Sequence, residues 1–330
     1  MNALVTGGGG FLGAAIVRRL RERGDRVHSL SRGRYPELDV LGVIQHQGDI
    51  ADSLTVSRAA AGCDVIFHVA AKAGVGGRYR DYHRVNVAGT ANVLTACRHH
   101  GIARLVYTSS PSVVFNGRDM AGVNESVPYP RHYDAAYPQT KAIAERMVLH
   151  ANDPTVATVS LRPHLIWGPG DNHLIPRLLA RARAGRLRRI GAASKLIDSV
   201  YIDNAADAHL LAADRLGAGS PVAGKAYFIT QGEPVPLWDL VNSILYAAGL
   251  GPVTRSVPAG LAYAAGWLLE MVYGVFRPRD EPPMTRFVAR ELTTAHWFDI
   301  GAARRDLGYE PRISLDEGLR RLAASFRRDG

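Results

Sequence analysis

Cysteine is scarce: Cys63 and Cys97 are the only two in 330 residues. Both lie in apolar or helical stretches. They read as small core residues of a reduced compartment, and neither a disulfide framework nor a metal site is expected. The start of the chain lacks a charged segment followed by an apolar run. A strand-like Ala3-Leu4-Val5 begins almost at Met1, so the expectation is a cytoplasmic protein without a signal peptide. No nucleic-acid recognition module is visible, so the net charge of +10 is not read as a nucleic-acid footprint. The basic cluster Arg177, Arg181, Arg183, Arg186, Arg188 and Arg189 reads first as a solvated helix face. It also suits an anionic substrate, an acidic partner or a membrane surface. Hydrophobic content of 47% with 21% charged residues fits an ordinary globular chain of one or two domains.

What the chain has in quantity is glycine near its start. Thr6-Gly7-Gly8-Gly9-Gly10-Phe11-Leu12-Gly13 follows the apolar run and precedes Leu12, Ile16 and Leu20, spaced four apart on one helix face. Strand, glycine turn and helix make a dinucleotide site. The glycines permit a tight turn, close approach of a pyrophosphate and helix–strand packing, and the helix N-terminus offers free N–H groups at Phe11, Leu12 and Gly13.

Strand-like and helix-like segments then alternate, which predicts a doubly wound parallel sheet. Val27–Leu30 is the second strand. An acidic residue at its end would read the NAD ribose. The chain instead has Ser31-Arg32-Gly33-Arg34, a hydroxyl and two guanidiniums suited to a 2′-phosphate, so NADP(H) is expected over NAD(H). Val43–Gln47, Val65–Ala71 and Leu105–Ser110 read as further strands. Asp49 reads either as a cofactor contact or as the cap of a helix opening near Asp52, and His68 as a satisfied core histidine. Ala157–Leu161 and Lys225–Ile229 complete the strand pattern. Asp203-Asn204 is expected to cap a helix, and Ser314 to Glu317 forms a capping box. Residues 1–163, with segments returning near 196–230, are assigned to the cofactor half. Residues 164–195 and 231–330 are assigned to an interleaved, smaller substrate-binding part.

Tyr137 and Lys141 stand four apart, so on a helix they share a face. An ammonium beside the phenol would lower its pKa from about 10. Ser110, at a strand end, can donate to a substrate carbonyl and hold it beside Tyr137. Ala259–Phe276 has one formal charge, Glu270, over 18 residues. Its glycines, tyrosines and glutamate argue against a membrane span. It is expected to be a buried or lid helix over the substrate, lining an alkyl channel, with at most peripheral membrane contact.

The spacing Gly7-x-x-Gly10-x-x-Gly13, together with Ser110, Tyr137 and Lys141, resembles the extended short-chain dehydrogenase/reductase family. The runs Arg104 to Ser110, Tyr201 to Asn204 and Ala303 to Tyr309 are similar to its 3β-hydroxysteroid dehydrogenase-like branch. Tyr35–Leu38, Ser109–Val113, Leu165–Asp171, Glu281–Phe287 and His296-Trp297 resemble the members that reduce 2-alkyl-3-oxoalkanoates in bacterial long-chain olefin biosynthesis.

The resemblance implies an NADP(H)-dependent oxidoreductase acting on CH–OH groups. Tyr137 would be its acid, Ser110 would orient the carbonyl, Lys141 would tune Tyr137 and hold the ribose, and Asn86 would support a water-mediated proton path. It further implies cofactor contacts at Gly7, Gly10, Phe11, Leu12, Gly13, Ser31, Arg32, Asp49 (to the adenine amino group), Ile50, Ala70, Ala71 and Pro163. Expected partners are a hydrophobic carboxylate substrate, a β-lactone synthetase and a β-lactone decarboxylase, with a homodimer through the helices of Asn86 and Tyr137. The rival readings are a sterol or steroid 3β-hydroxy dehydrogenase, a nucleotide-sugar epimerase or dehydratase, and an NADP-binding sensor without turnover.

Overall fold

The computed structural model describes residues 1–191, 194–277 and 280–328. Seven strands form one sheet: β1 (Asn2–Thr6), β2 (Arg26–Ser31), β3 (Ile44–Gln47), β4 (Val65–His68), β5 (Arg104–Thr108), β6 (Ala157–Pro163) and β7 (Lys225–Ile229). Their spatial order is β7-β6-β5-β4-β1-β2-β3, and every pairing is parallel. The order reverses at β1, which lies between β4 and β2. A crevice therefore opens outside the carboxyl ends of β1 and β4, where ligands of such sheets bind.

The central strands are buried on both faces, as their near-continuous apolar runs require. Because side chains alternate, Ala3 and Val5 join one core and Leu4 the other. The α-helices of six residues or more among the described residues are, in chain order, α1 (Phe11–Glu22), α2 (Ser53–Ala60), α3 (Gly89–His100), α4 (Ala136–His150), α5 (Leu174–Arg183), α6 (Ile202–Arg215), α7 (Leu237–Ala247), α8 (Ala259–Phe276), α9 (Arg286–Glu291) and α10 (Leu315–Arg328). α1 packs on α6, while α2, α3 and α4 pack side by side. Cys63 and Cys97 are free and buried, and burial raises their thiols to about 11 and about 12.

Two local expectations fail. Asp203 and Asn204 do not cap α6; they lie within its first turn, after Tyr201. Asn204 is buried and spends its side chain on the chain's end, donating to Ile313 O at 2.8 Å and accepting from the Arg312 and Ile313 N–H groups at 3.0 Å. α8 is not buried either: Ala262 and Gly266 are its only buried residues.

A second, four-stranded sheet is drawn from distant segments, in the order Val235–Pro236, Leu196–Ile197, His296–Phe298, Met120–Val123, so that strands 196–197 and 120–123, from segments assigned to the cofactor half, join strands of the smaller part. A buried ion pair fixes α4 to the main sheet. Glu145 on α4 accepts from Arg162 on β6 at 2.8 Å, from Tyr129 Oη at 2.6 Å and from Ser160 Oγ at 2.8 Å. Glu145 and Arg162 are 0% and 3% exposed, and the guanidinium holds the carboxyl below its ordinary range despite burial. Removing one partner of such a pair costs about 3–5 kcal/mol. Glu145→Ala is expected to lower unfolding stability by that amount in a urea titration, and Glu145→Leu with Arg162→Met to recover most of it.

Candidate active site

The glycine turn is built as a dinucleotide cradle. Gly7 adopts φ +74°, and a Cβ there would lie 3.0 Å from the Ala70 Cα. A Cβ on Gly13 would lie 2.1 Å from the Gly7 carbonyl oxygen, so only glycine lets α1 start this close to β1. Gly10 donates to that same carbonyl at 2.9 Å. α1 has no capping side chain and no acidic residue in its first turn, which leaves the Phe11, Leu12 and Gly13 N–H groups for an anion. The Leu12 side chain itself goes to the core. Ala70 faces the turn, its N–H fixed by Thr6 Oγ1 at 3.1 Å, and Ala71 follows it, exposed. Pro163 ends β6 on the same rim. The residues present therefore fit a dinucleotide.

At the end of β2, Ser31 Oγ accepts from the Gly9 N–H at 3.2 Å. Arg32 is exposed; its carbonyl accepts from Gln47 Nε2 at 3.1 Å, while its guanidinium has no hydrogen-bond or ion-pair partner among the described residues. Arg34 is different: it pairs with Asp39 at 3.2 Å, so one of the two expected guanidiniums is already engaged. The Tyr35 ring covers Gly9, a contact that the sequence reading did not assign. Asp49 accepts from the Ala51 N–H at 2.9 Å and from Arg84 at 2.8 Å, which lower its pKa despite burial. The cap of α2 is Asp52, not Asp49. Ile50 turns into the core against Gly89, and its carbonyl accepts from Asn92, so its side chain does not reach the crevice.

Ser110, Tyr137, Lys141 and Asn86 gather at the carboxyl end of β5 and the first turns of α4. Ser110 caps the short turn Pro111–Val114 and accepts from the Ser112 hydroxyl at 3.0 Å. Tyr137 lies near Ser110, whose hydroxyl acts to lower the phenol's pKa. Burial, the largest influence, raises its phenol to about 12, although Ser110 opposes the shift. Lys141 is 2% exposed and is pushed down to about 7 by burial. Its ammonium donates to Thr108 O and lies 4.2 Å from the centre of the Tyr107 ring. The expected lowering of Tyr137 by Lys141 is thus absent: the cation points at a carbonyl and a ring, and desolvation of the phenol prevails.

Asn86 lies in a π-helical turn, His83–Ala88. Its Oδ1 accepts from the Lys72 N–H at 2.7 Å, and Nδ2 donates to Lys72 O at 3.1 Å and Thr140 Oγ1 at 3.0 Å. It braces the loop after β4 against the helix turn between Tyr137 and Lys141. His68 binds Thr6 and Thr90 through its two ring nitrogens and is held neutral by burial, at about 3.

Three further residues on this side were not singled out as site residues from the sequence. His164 and His296 stack 5.7 Å apart, and burial lowers them to about 4 and about 3. Glu291, at the end of α9, has no hydrogen-bond or ion-pair partner among the described residues; burial raises it to about 7, and its charge raises Tyr137. They lie more than 25 residues from Tyr137 in the chain, so no local spacing joins them to it. Beside His164, Leu165 holds φ 42°, a left-handed conformation that costs about 1–3 kcal/mol.

A glycine cradle at the switch point of a parallel sheet, beside a paired serine and tyrosine, defines a nicotinamide-dinucleotide oxidoreductase of Rossmann type. The chain belongs to the 3-beta hydroxysteroid dehydrogenase/isomerase family, whose profile matches residues 4–258. It is 53% identical to the 2-alkyl-3-oxoalkanoate reductase of Stenotrophomonas maltophilia, over 98% of this chain and 99% of that protein. It is 51% identical to the Shewanella oneidensis protein of the same name, over 98% of this chain and 86% of that one. The mouse sterol-4-alpha-carboxylate 3-dehydrogenase, decarboxylating, is 34% identical over 98% of this chain and 90% of its own length. Among solved structures, gox2253 superposes with a TM-score of 0.79 at 26% identity, covering 99% of this chain and 98% of the other. The Thermus thermophilus UDP-glucose 4-epimerase with NAD shares the fold at TM-score 0.75 and 24% identity, covering 99% of each chain.

Gly13→Ala tests the cradle. The added methyl cannot coexist with the Gly7 carbonyl, so dinucleotide affinity is expected to fall by roughly tenfold or more, about 1.4 kcal/mol. Quenching of intrinsic fluorescence on NADPH or NADH addition measures it.

Proposed function

We propose that this protein reduces the 3-keto group of a 2-alkyl-3-oxoalkanoate to the 2-alkyl-3-hydroxyalkanoate with NADPH, in long-chain olefin biosynthesis. The observation that carries the substrate is the resemblance at 53% and 51% identity, over nearly the whole chain, to two reductases of that name. The choice of NADPH is supported by Ser31 and the unpaired, exposed Arg32 at the end of β2, where no carboxylate stands to repel a 2′-phosphate.

The chemistry follows from the side chains. When bound, NADPH supplies the hydride. Ser110 donates to the substrate's 3-oxo oxygen and holds it beside Tyr137. Tyr137, raised to about 12, keeps its proton at neutral pH and gives it up to the oxygen as negative charge develops there. Lys141 uses one of its donors on Thr108 O and has others for the ribose hydroxyls. Near its pKa of about 7 it exists in both protonation states and can resupply the phenol. Asn86 positions the loop and helix rather than touching the reacting atoms. The product is a β-hydroxy acid, the class of compound that a β-lactone-forming synthetase consumes, and a complex with that enzyme and a decarboxylase is part of the same reading.

The deciding assay is NADPH oxidation with a synthetic 2-alkyl-3-oxoalkanoate, beside NADH and a 3-oxosteroid, with the reverse reaction on the 2-alkyl-3-hydroxy acid. Turnover of the branched acid pair with NADPH preference is expected; turnover of the steroid alone would move the substrate to the sterol branch. Tyr137→Phe is expected to lose roughly 10²–10⁴-fold in kcat while keeping NADPH affinity. Arg32→Asp should weaken NADPH far more than NADH; an equal loss of both would refute the 2′-phosphate contact.

Glu291 gives a pH signature. Below about pH 7 it is neutral, and as pH rises through 7 it ionises near Tyr137 and opposes an anionic substrate. KM for the acid is expected to climb across that window in the wild type and to climb less steeply in Glu291→Gln, where only Lys141 still titrates there.

A further inference from the structure

The outer face of α8 is built inside out. Leu261, Ala264, Ala265, Leu268, Met271, Val272 and Val275 recur at three- and four-residue spacing and share one face. That face points to solvent: Leu268 is 56%, Val275 73% and Phe276 79% exposed. The polar residues lie on the opposite, inner face. Glu270 accepts from the Arg286 N–H at 2.8 Å and from its Nε at 2.6 Å, and Tyr263 Oη accepts from Arg290 at 3.1 Å. Gly266 rests against the Thr285 backbone. A helix facing only water would show the reverse pattern. The 18 residues run about 27 Å. Their inner face is fastened to α9, so the helix lies along the protein and does not have lipid all round it.

Both ends carry guanidiniums. At the start, Ser256–Val257 pairs with Arg189–Ile190, which sets exposed Arg255 beside Arg188 and Arg189. At the end stands exposed Arg277, and the segment beyond it is held by α5, where Arg181 donates to Pro283 O and Arg177 pairs with Glu281. Asp280 and the paired Glu281 are the carboxylates at that end. An apolar face with an exposed guanidinium at each end, Arg255 and Arg277, complements an acyl layer under phosphates. A second copy would bring like charges together, in a chain whose net charge is +10.

We propose that α8 docks the protein on an anionic lipid surface, with Leu261, Leu268, Met271, Val272, Val275 and Phe276 entering the acyl boundary and the flanking arginines meeting lipid phosphates. The proposal does not rest on the substrate reading. It is tested with the full chain by co-sedimentation with phosphatidylcholine vesicles and with vesicles in which phosphatidylglycerol replaces part of that lipid. Binding to the anionic vesicles is expected, weakened by high salt and by roughly fivefold for each of Arg255→Ser and Arg277→Ser. Leu268→Glu with Val275→Glu should abolish it while NADPH affinity and thermal unfolding stay as in the wild type. Absence of vesicle binding by the folded wild type would overturn the proposal, as would equal binding to both vesicle types. An oligomer that the double glutamate variant dissolves, detected by light scattering without vesicle binding, would also overturn it and assign the face to a second copy.

Discussion

The carboxylate of Glu145 is the point on which the active side of this molecule depends. It sits one helical turn beyond Lys141, with no exposure to water, and is held by Arg162, Tyr129 and Ser160. A charge in that position is tolerable only with its guanidinium in place. The pair therefore fixes the distance between α4 and β6, and with it the placement of Tyr137 and Lys141 over the end of β5. The same negative charge opposes the desolvation that pulls Lys141 down, so one buried anion sets both the geometry and the protonation of the lysine.

Desolvation governs the rest of the site in the same way. Burial is the largest influence that pushes the Tyr137 phenol further up, holds His164 and His296 neutral, and raises Glu291 toward neutrality. The arrangement keeps its acid charged with a proton at neutral pH, which suits delivery of that proton to a developing alkoxide. Ser110 is the polar group that connects Tyr137 to the place where such an oxygen would lie.

The cofactor half was largely legible in the sequence because its signals are local. A strand, a glycine turn and a helix stand side by side in the chain, and Gly7, Gly10 and Gly13 come together as their spacing requires. The substrate side was not, because its sheet joins residues near 120, 196, 236 and 296, and no periodicity links them. Lys141 was read from spacing as a neighbour of the phenol; four-residue spacing fixes a shared helix face but not where a long side chain turns. Asn204 looked like a helix cap for the same reason, and tertiary contact with Ile313 claimed it instead. α8 was legible in extent but not in orientation. An apolar helix with a single charge, Glu270, gives little clue to which face meets protein until its neighbour Thr285–Arg290 is in place.

The composite origin of the small sheet has a kinetic meaning. The pairings of His296 with Ile197 and with Met120 must close longer stretches of chain than any pairing in the main sheet. Strands as short as two and three residues give those pairings few bonds to hold them. The strands around His296 thus have fewer bonds to hold them than the sheet that carries the cradle, and local opening would begin there before the cradle unfolds.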